Sequence, residues 1–404
     1  MPAITRNRGH WANKLGSRYI PIVSTIPRDR RPAISSGARR LQITIFGLTI
    51  SSSWGNGHAT PYRALIRALH GLGHSIRFYE KDVPYYARHR DFRQLPYCDL
   101  ILYSDWETIR RDALVHAAQS DVVIVASYCP EGARISDEIL GLQQPLKVFY
   151  DLDTPVTFAK FAEEGRTDYL HPRQIPNFDL VLSFTGGRAL CKLEREYGAQ
   201  LSRPLYGCVD PDEYQRVAAN PDLCCDLSYM GTYAADRQEK LDGLFLEPAR
   251  RSPERQFVLA GSLYPRQWEW PKNVRKFDHV SPTQHAGLYS SSRITLNITR
   301  RDMAESGYCP SGRFFEAAAC ECPIVTDRWE GLDTFFSDQE IMVVDSTDAV
   351  LQTLGMDGFE LQRLAQRARQ RTLDEHTGVR RSRQLLGYFD EAAARRTRVR
   401  SEVA

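Results

Sequence analysis

Ser311, Gly312 and Glu316 open a short alanine-rich run that breaks at Pro323 and continues as a buried apolar strand toward Asp327. A helix beginning at Ser311 and Gly312 would present unpaired backbone amides and the positive end of its dipole, an arrangement that attracts phosphate. Gly312, with no Cβ, would let a phosphate oxygen approach the backbone closely. Glu316 stands about one turn further on, within reach of a ribose diol. An amide cradle beside a sugar-gripping carboxylate suits a nucleoside diphosphate, although the same residues also fit an ordinary helix start with a solvated glutamate. Arg237 and Lys240, three apart, share one face of another helix start. Cations there oppose the dipole and call for an anion or a nearby carboxylate, the plainest partner being Asp236 for Lys240. With Glu316 in the same half of the chain, a diphosphate site accounts for both sets.

Three further groups carry chemistry. Gly55, Asn56 and Gly57, followed by His58 and Thr60, connect the first strand to the first helix. Gly55-x-Gly57-x-x-Thr60 partly matches a dinucleotide fingerprint, with Glu80 about where a ribose-binding acid would fall. Thr60 at the third position and a long connection weaken that match, and the same glycines would equally let an acceptor approach the backbone. His58 would then contact substrate or be structural. Asp151 and Asp153 follow a strand directly and read either as a general base or as the cap of the next helix. Arg300, Arg301 and Glu305 occupy a loop before the Ser311 motif, at the end of a strand where open α/β sheets bind ligands.

The elements that must position these residues alternate along the chain. Strands are expected at 41–48, 75–79, 99–103, 121–126, 146–150, 179–184 and 204–208, and again at 227–230, 257–260, 294–298, 323–326 and 341–344. Helices are expected at 61–72, 236–247 and 282–289, with residues 357–396 helical throughout. Short apolar strands separated by amphipathic helices imply parallel sheets covered on both faces. The polar, turn-rich stretch near 208–226 reads as a hinge. The expected organisation is a basic leader (1–40), an acceptor half (41–208), a linker (209–225), a donor half (226–346) and C-terminal helices (347–404).

Composition excludes more than it selects. The chain has 404 residues, 42% hydrophobic and 25% charged, with a net charge of +3, so no global argument favours nucleic acid or membrane. No apolar run reaches the ~18 residues of a membrane-spanning helix. Nine cysteines without paired metal spacing suggest reduced thiols and a cytoplasmic setting, and no metal site is expected. Residues 1–40 carry nine Arg or Lys against the single acid Asp29 and read as a disordered leader without a secretory core. Such a leader could touch an anionic surface, which leaves peripheral membrane contact open.

Taken together, these motifs resemble the GT-B glycosyltransferases, the second half being similar to the group-1 type. More narrowly, the stretches 149–157, 182–187 and 300–312 are similar to the CgeB-like (spore-maturation-type) branch. The resemblance covers roughly residues 41–390. It implies two Rossmann-like doubly wound domains facing a cleft, with Glu316 on the donor ribose. Arg237, Lys240, Ser311, Gly312 and Arg313 would lie on the diphosphate, and Arg300, Arg301 and Glu305 nearby. It further implies sugar transfer from a UDP-, GDP- or dTDP-sugar to a hydroxyl acceptor (glycan, lipid or small molecule), with no cofactor, no metal and no nucleic-acid partner. Many group-1 enzymes carry another glutamate eight positions before the second; here that position is Tyr308. Two rival readings remain: an NAD-dependent oxidoreductase using Gly55 and Gly57, and a non-catalytic nucleotide-sugar-binding protein.

Overall fold

The computed structural model describes residues 39–403, so the basic leader, apart from its last two residues, lies outside the described residues. Seven strands build the first sheet: β1 (Gln42–Gly47), β2 (Ser75–Lys81), β3 (Asp99–Tyr103), β4 (Val122–Ala126), β5 (Leu146–Asp151), β6 (Leu180–Ser183) and β7 (Ser202–Pro204). Their order is β3-β2-β1-β4-β5-β6-β7. Every pair is parallel; Ile43, for example, sits opposite both Ile76 and Val122. The period-2 alternation of each strand divides its apolar residues between two cores. Ile43, Ile45, Val148 and Leu182 face one side, and Phe46, Val123, Phe149 and Val181 the other.

The second sheet repeats the plan with β8 (Cys225–Met230), β9 (Phe257–Ala260), β10 (Val274–Phe277), β11 (Ser292–Asn297), β12 (Ile324–Thr326) and β13 (Met342–Val343). Its order is β10-β9-β8-β11-β12-β13, again all parallel. In each sheet the order reverses beside its first strand, between β1 and β4 and between β8 and β11. Loops leaving the carboxyl ends of strands at such reversals diverge and leave a crevice for a ligand.

The chain departs from its sequence reading in four places. The last strand of the first sheet is Ser202–Pro204 rather than 204–208, and the edge strand β10 has no counterpart in that reading. The helix expected over 236–247 runs only Ala235–Leu241, widens into a π turn at Asp242–Leu246 and resumes as Glu247–Arg251. Pro248 explains the widening, because its ring cannot sit over the carbonyl four residues back in a regular helix.

The C-terminal helices are Gly358–Glu375 and Gly378–Val403, separated where Val209 inserts. The Val209 N–H donates to the His376 carbonyl and the Gly378 N–H donates to the Val209 carbonyl, each at 3.0 Å. The last helix then returns to the first half, burying Leu385, Phe389 and Ala392 in its core against the helix Ala59–Gly71. All nine cysteines are unpaired, and no described helix is long and apolar enough to cross a membrane.

Candidate active site

The carboxyl ends of the two sheets face each other across a cleft of about 370 Å³. Its first wall comes from the loops after β1, β5 and β6, and its second from the loops after β8 to β11 and the start of the helix Gly312–Ala319. Ser311 is the N-cap of that helix: its hydroxyl accepts from the Arg313 N–H at 3.4 Å and from Arg313 Nε at 3.0 Å. A Cβ on Gly312 would meet only Pro61 Cγ at 3.8 Å, so the space beside this backbone is open to a ligand.

Three guanidiniums converge on the same wall. Arg313 donates to the carbonyls of Met230 and Ile298 and lies over the Tyr229 ring at 5.7 Å. Arg237 donates to the Thr232 carbonyl, while its Nε is buried without a partner. Arg300 pairs with Asp236 at 3.0 Å. Burial lowers the Arg237 pKa, and the positive charges of Arg313 and Arg300 push the same way. A group held this uncomfortably as a cation gains most from an arriving anion.

Glu316 is buried beside these cations, and its carboxylate accepts from Thr60 Oγ1, across the cleft, at 2.7 Å. The Tyr289 hydroxyl lies at 3.5 Å and His285 Nδ1 at 3.9 Å from its other oxygen. On the first wall, His58 Nε2 lies 3.6 Å from Asp153 Oδ2, which also accepts from the Tyr128 hydroxyl at 2.8 Å. Burial works to lower the His58 pKa, but the Asp153 carboxylate, helped by Asp151, outweighs it and the net shift is upward. Burial likewise resists ionisation of Asp153, yet His58, Tyr128 and Arg300 hold its carboxyl below its usual range.

Gly55, Asn56, Gly57, His58, Asp153, Arg237, Arg300, Ser311, Gly312, Arg313 and Glu316 all line this cleft; Asp151, Lys240, Arg301 and Glu305 do not. Asp151 is buried beneath it and accepts from Thr157 Oγ1 and the Asp153 N–H; burial pushes its pKa up to about 6. Asp151 thus stands neither on the cleft, where a base would meet substrate, nor at the helix cap, which is Asp153 without a side-chain capping bond; it supports the Asp153 loop instead. Lys240 contacts Asp327 at 2.5 Å instead of Asp236, and Asp327 in turn accepts from the Thr299 N–H. Arg301 points to Glu239, and Glu305 is exposed on the helix Arg301–Ser306. Tyr308 is a packing residue: its carbonyl accepts from the Gly186 N–H at 2.9 Å and its ring fills the space beside Gly187.

Glu80 is fully buried and accepts from Thr49 Oγ1, Ser51 Oγ and the N–H groups of Ile50 and Ser51. Those four donors occupy the carboxylate that a dinucleotide reading needs for ribose. The sequence reading passed over Tyr128, His285 and Tyr289, and took Thr60 only as an imperfect fingerprint position. Each is recognisable only from the fold, since nothing local links Thr60 to an acid 256 positions away. Among the described residues no cluster of three His, Cys, Asp or Glu side chains is placed to hold a metal ion.

Residues 237–387 match the sequence model of a family described as glycosyl transferase-like. No curated protein matches the chain. An alpha-glucosyltransferase in complex with UDP-glucose and DNA containing an abasic site superposes with a TM-score of 0.65 at 11% identity, covering 87% of this chain and 100% of that one. Sucrose-phosphate synthase from Thermosynechococcus elongatus gives 0.62 at 14%, covering 88% and 100%. Anabaena HepE in complex with UDP-glucose gives 0.60 at 10%, covering 87% and 100%. At these identities the likeness is one of architecture, and the chain has the GT-B fold of two doubly wound α/β halves facing a cleft.

Proposed function

We propose that this chain is a glycosyltransferase that moves a hexosyl group from a nucleotide-diphosphate sugar to a hydroxyl-bearing acceptor. One observation carries the reading: Arg237, Arg300, Arg313 and the capped start of a helix converge on the wall that also holds the buried Glu316 carboxylate. The donor half is residues 226–346 and the acceptor half 41–208, joined through 209–225. In the reaction the acceptor oxygen bonds to the anomeric carbon as the bond to the diphosphate oxygen breaks. The electron pair leaves with the diphosphate, where the three guanidiniums and the helix amides balance the charge without a metal ion. His58, oriented by Asp153, faces the acceptor side and takes the hydroxyl proton. Gly55, Asn56 and Gly57 leave room for the acceptor, and Glu316 binds the ribose once Thr60 has released it. Lys240, Arg301, Glu305 and Asp151 have no direct contact with substrate in this scheme.

The similar structures with UDP-glucose make UDP-sugars the first donors to test, ahead of GDP- and dTDP-sugars. Membership of the CgeB-like branch, a polysaccharide acceptor and a cytoplasmic setting for the unpaired cysteines belong to the same proposal. Calorimetric titration with UDP, GDP and dTDP should show binding of at least one, weakened tenfold or more in Glu316→Ala. Undiminished affinity for all three would overturn the site assignment. Turnover of UDP-glucose by the purified protein separates an enzyme from a binding protein.

A further inference from the structure

Outside the cleft, the donor half carries an open groove of about 330 Å³ on the far side of the helix Ala235–Leu241. Arg237 of that helix lines the cleft, whereas the next residue, Gln238, lines the groove. The opposite side is the segment between β9 and β10, where Trp268 and Trp270 stand with ring centroids 6.1 Å apart. Both indoles are half-buried and braced from behind, Trp268 by Tyr233 at 5.5 Å and Trp270 by Tyr264 at 5.5 Å. Tyr264 is itself buried and anchored by donation of its hydroxyl to the Gly231 carbonyl at 3.0 Å. The aromatic pair is therefore held in place before any ligand arrives.

Carboxylates and amides dominate the polar groups around the indoles. Asp242 and Glu269 contribute carboxylates and Gln267 an exposed amide. Gln238 donates to Asp242 at 2.8 Å, and its own Oε1 is buried with no donor in reach. An unmet buried acceptor costs stability unless a ligand supplies a hydrogen. Arg250, a cation beside the groove, is taken by Glu247 at 3.2 Å. Lys276, whose ammonium stands 5.9 Å over the Trp270 ring, is likewise paired with Asp278 at 2.8 Å. Both cations are thus already matched by carboxylates while Asp242 and Glu269 add negative charge, which disfavours a polyanion. A proline-rich peptide, which also docks on aromatic grooves, offers mainly carbonyl acceptors and leaves Gln238 unmet. A pyranose offers flat C–H faces for the indoles and several O–H donors for the acceptors.

We propose that this groove is an accessory site for a neutral saccharide chain, separate from the cleft where transfer occurs. A chain held there raises the local concentration of glycan beside the enzyme without touching the reacting atoms. The probes are the hexaoses of β-1,4-glucose, α-1,4-glucose and β-1,4-N-acetylglucosamine, titrated calorimetrically into the full chain with saturating UDP present and absent. At least one should bind, with tryptophan fluorescence changing in step and UDP leaving the affinity unaltered. Trp268→Ala should weaken that binding tenfold or more. Gln238→Leu should weaken it as well while leaving the melting temperature unlowered, which distinguishes loss of a ligand contact from misfolding. The proposal is overturned if none of the hexaoses binds, if both variants bind like the parent, if UDP displaces the saccharide, or if a proline decamer occupies the groove instead.

Discussion

Glu80, Asp151 and Glu316 are all buried carboxylates, but the fold leaves them unequal capacity for a ligand. Glu80 is satisfied by four donors from residues 49–51 and so holds the loop that precedes Gly55. Glu80→Ala should strand those donors and cost about 3 kcal/mol or more. The change is measurable by urea unfolding, and NAD should give no thermal shift in either protein. His58 and Asp153 behave as a pair. The raised His58 value means its contribution to stability is complete below its ordinary 6.5 and lost as pH rises through the folded value. The lowered Asp153 value means its contribution is present above the ordinary 3.8 and lost as pH falls through the folded value. The pair is therefore strongest in the window between the two. In Asp153→Asn the burial of His58 is left largely unopposed. Its imidazole, followed by NMR titration, should move from above 6.5 to below it. An unchanged midpoint would mean that Asp153 does not control this histidine. What was legible in sequence at this scale was local: Ser311, Gly312 and Glu316 lie within six consecutive residues at the start of one helix. Thr60 and His285 line the same cleft, and Tyr128 holds its Asp153, only through folding.

Elements were most legible where burial imposes a pattern. Both sheets lie between helices, so strands such as β4 and β9 read as unbroken apolar runs. The edge strand β10 escaped because its sequence, with Arg275 and Lys276 at its centre, follows a partly exposed position and not a core one. The break between the last two helices was equally hidden. Its cause is the Val209 backbone, which inserts beside Gly378, and Gly387 inside the unbroken last helix shows that a glycine alone does not mark such a break. Gly378 permits the close packing that follows: a Cβ there would sit 2.4 Å from the Ala64 carbonyl oxygen and 3.2 Å from the Ala68 Cβ. Gly378→Ala should therefore separate the last helix from the helix Ala59–Gly71. The expected cost is about 1–3 kcal/mol, as for other overpacked contacts. The midpoint of urea unfolding should fall accordingly, whereas a midpoint equal to the parent's would show that the two helices can slide apart freely.

At the scale of the whole molecule, the two sheets are joined by contacts that the chain supplies for itself. Thr60 donates to Glu316, Thr185 lies 3.2 Å from the Cys309 sulfur, Gly186 donates to the Tyr308 carbonyl, and Arg188 pairs with Glu330. Met303 and Cys309 of the second half pack into the core of the first. The two-half plan was legible in the alternation of strand and helix, but these junctions were not, because each joins residues more than 100 positions apart. The Thr60 contact bears directly on donor binding, since it occupies the carboxylate proposed for the ribose. In the proposed site a nucleotide would have to displace Thr60, and its affinity would be reduced by the free energy of that hydrogen bond. Thr60→Val keeps the side-chain shape, removes the donor and leaves Glu316 in need of hydroxyl partners. A hydrogen bond of about 1 kcal/mol translates to roughly fivefold tighter UDP binding in the variant. The gain should vanish in Thr60→Val combined with Glu316→Ala, because both act through one carboxylate. Calorimetry of the four proteins measures the cycle. Weaker UDP binding in Thr60→Val alone would place Thr60 among the donor's own contacts and refute its role as a competitor.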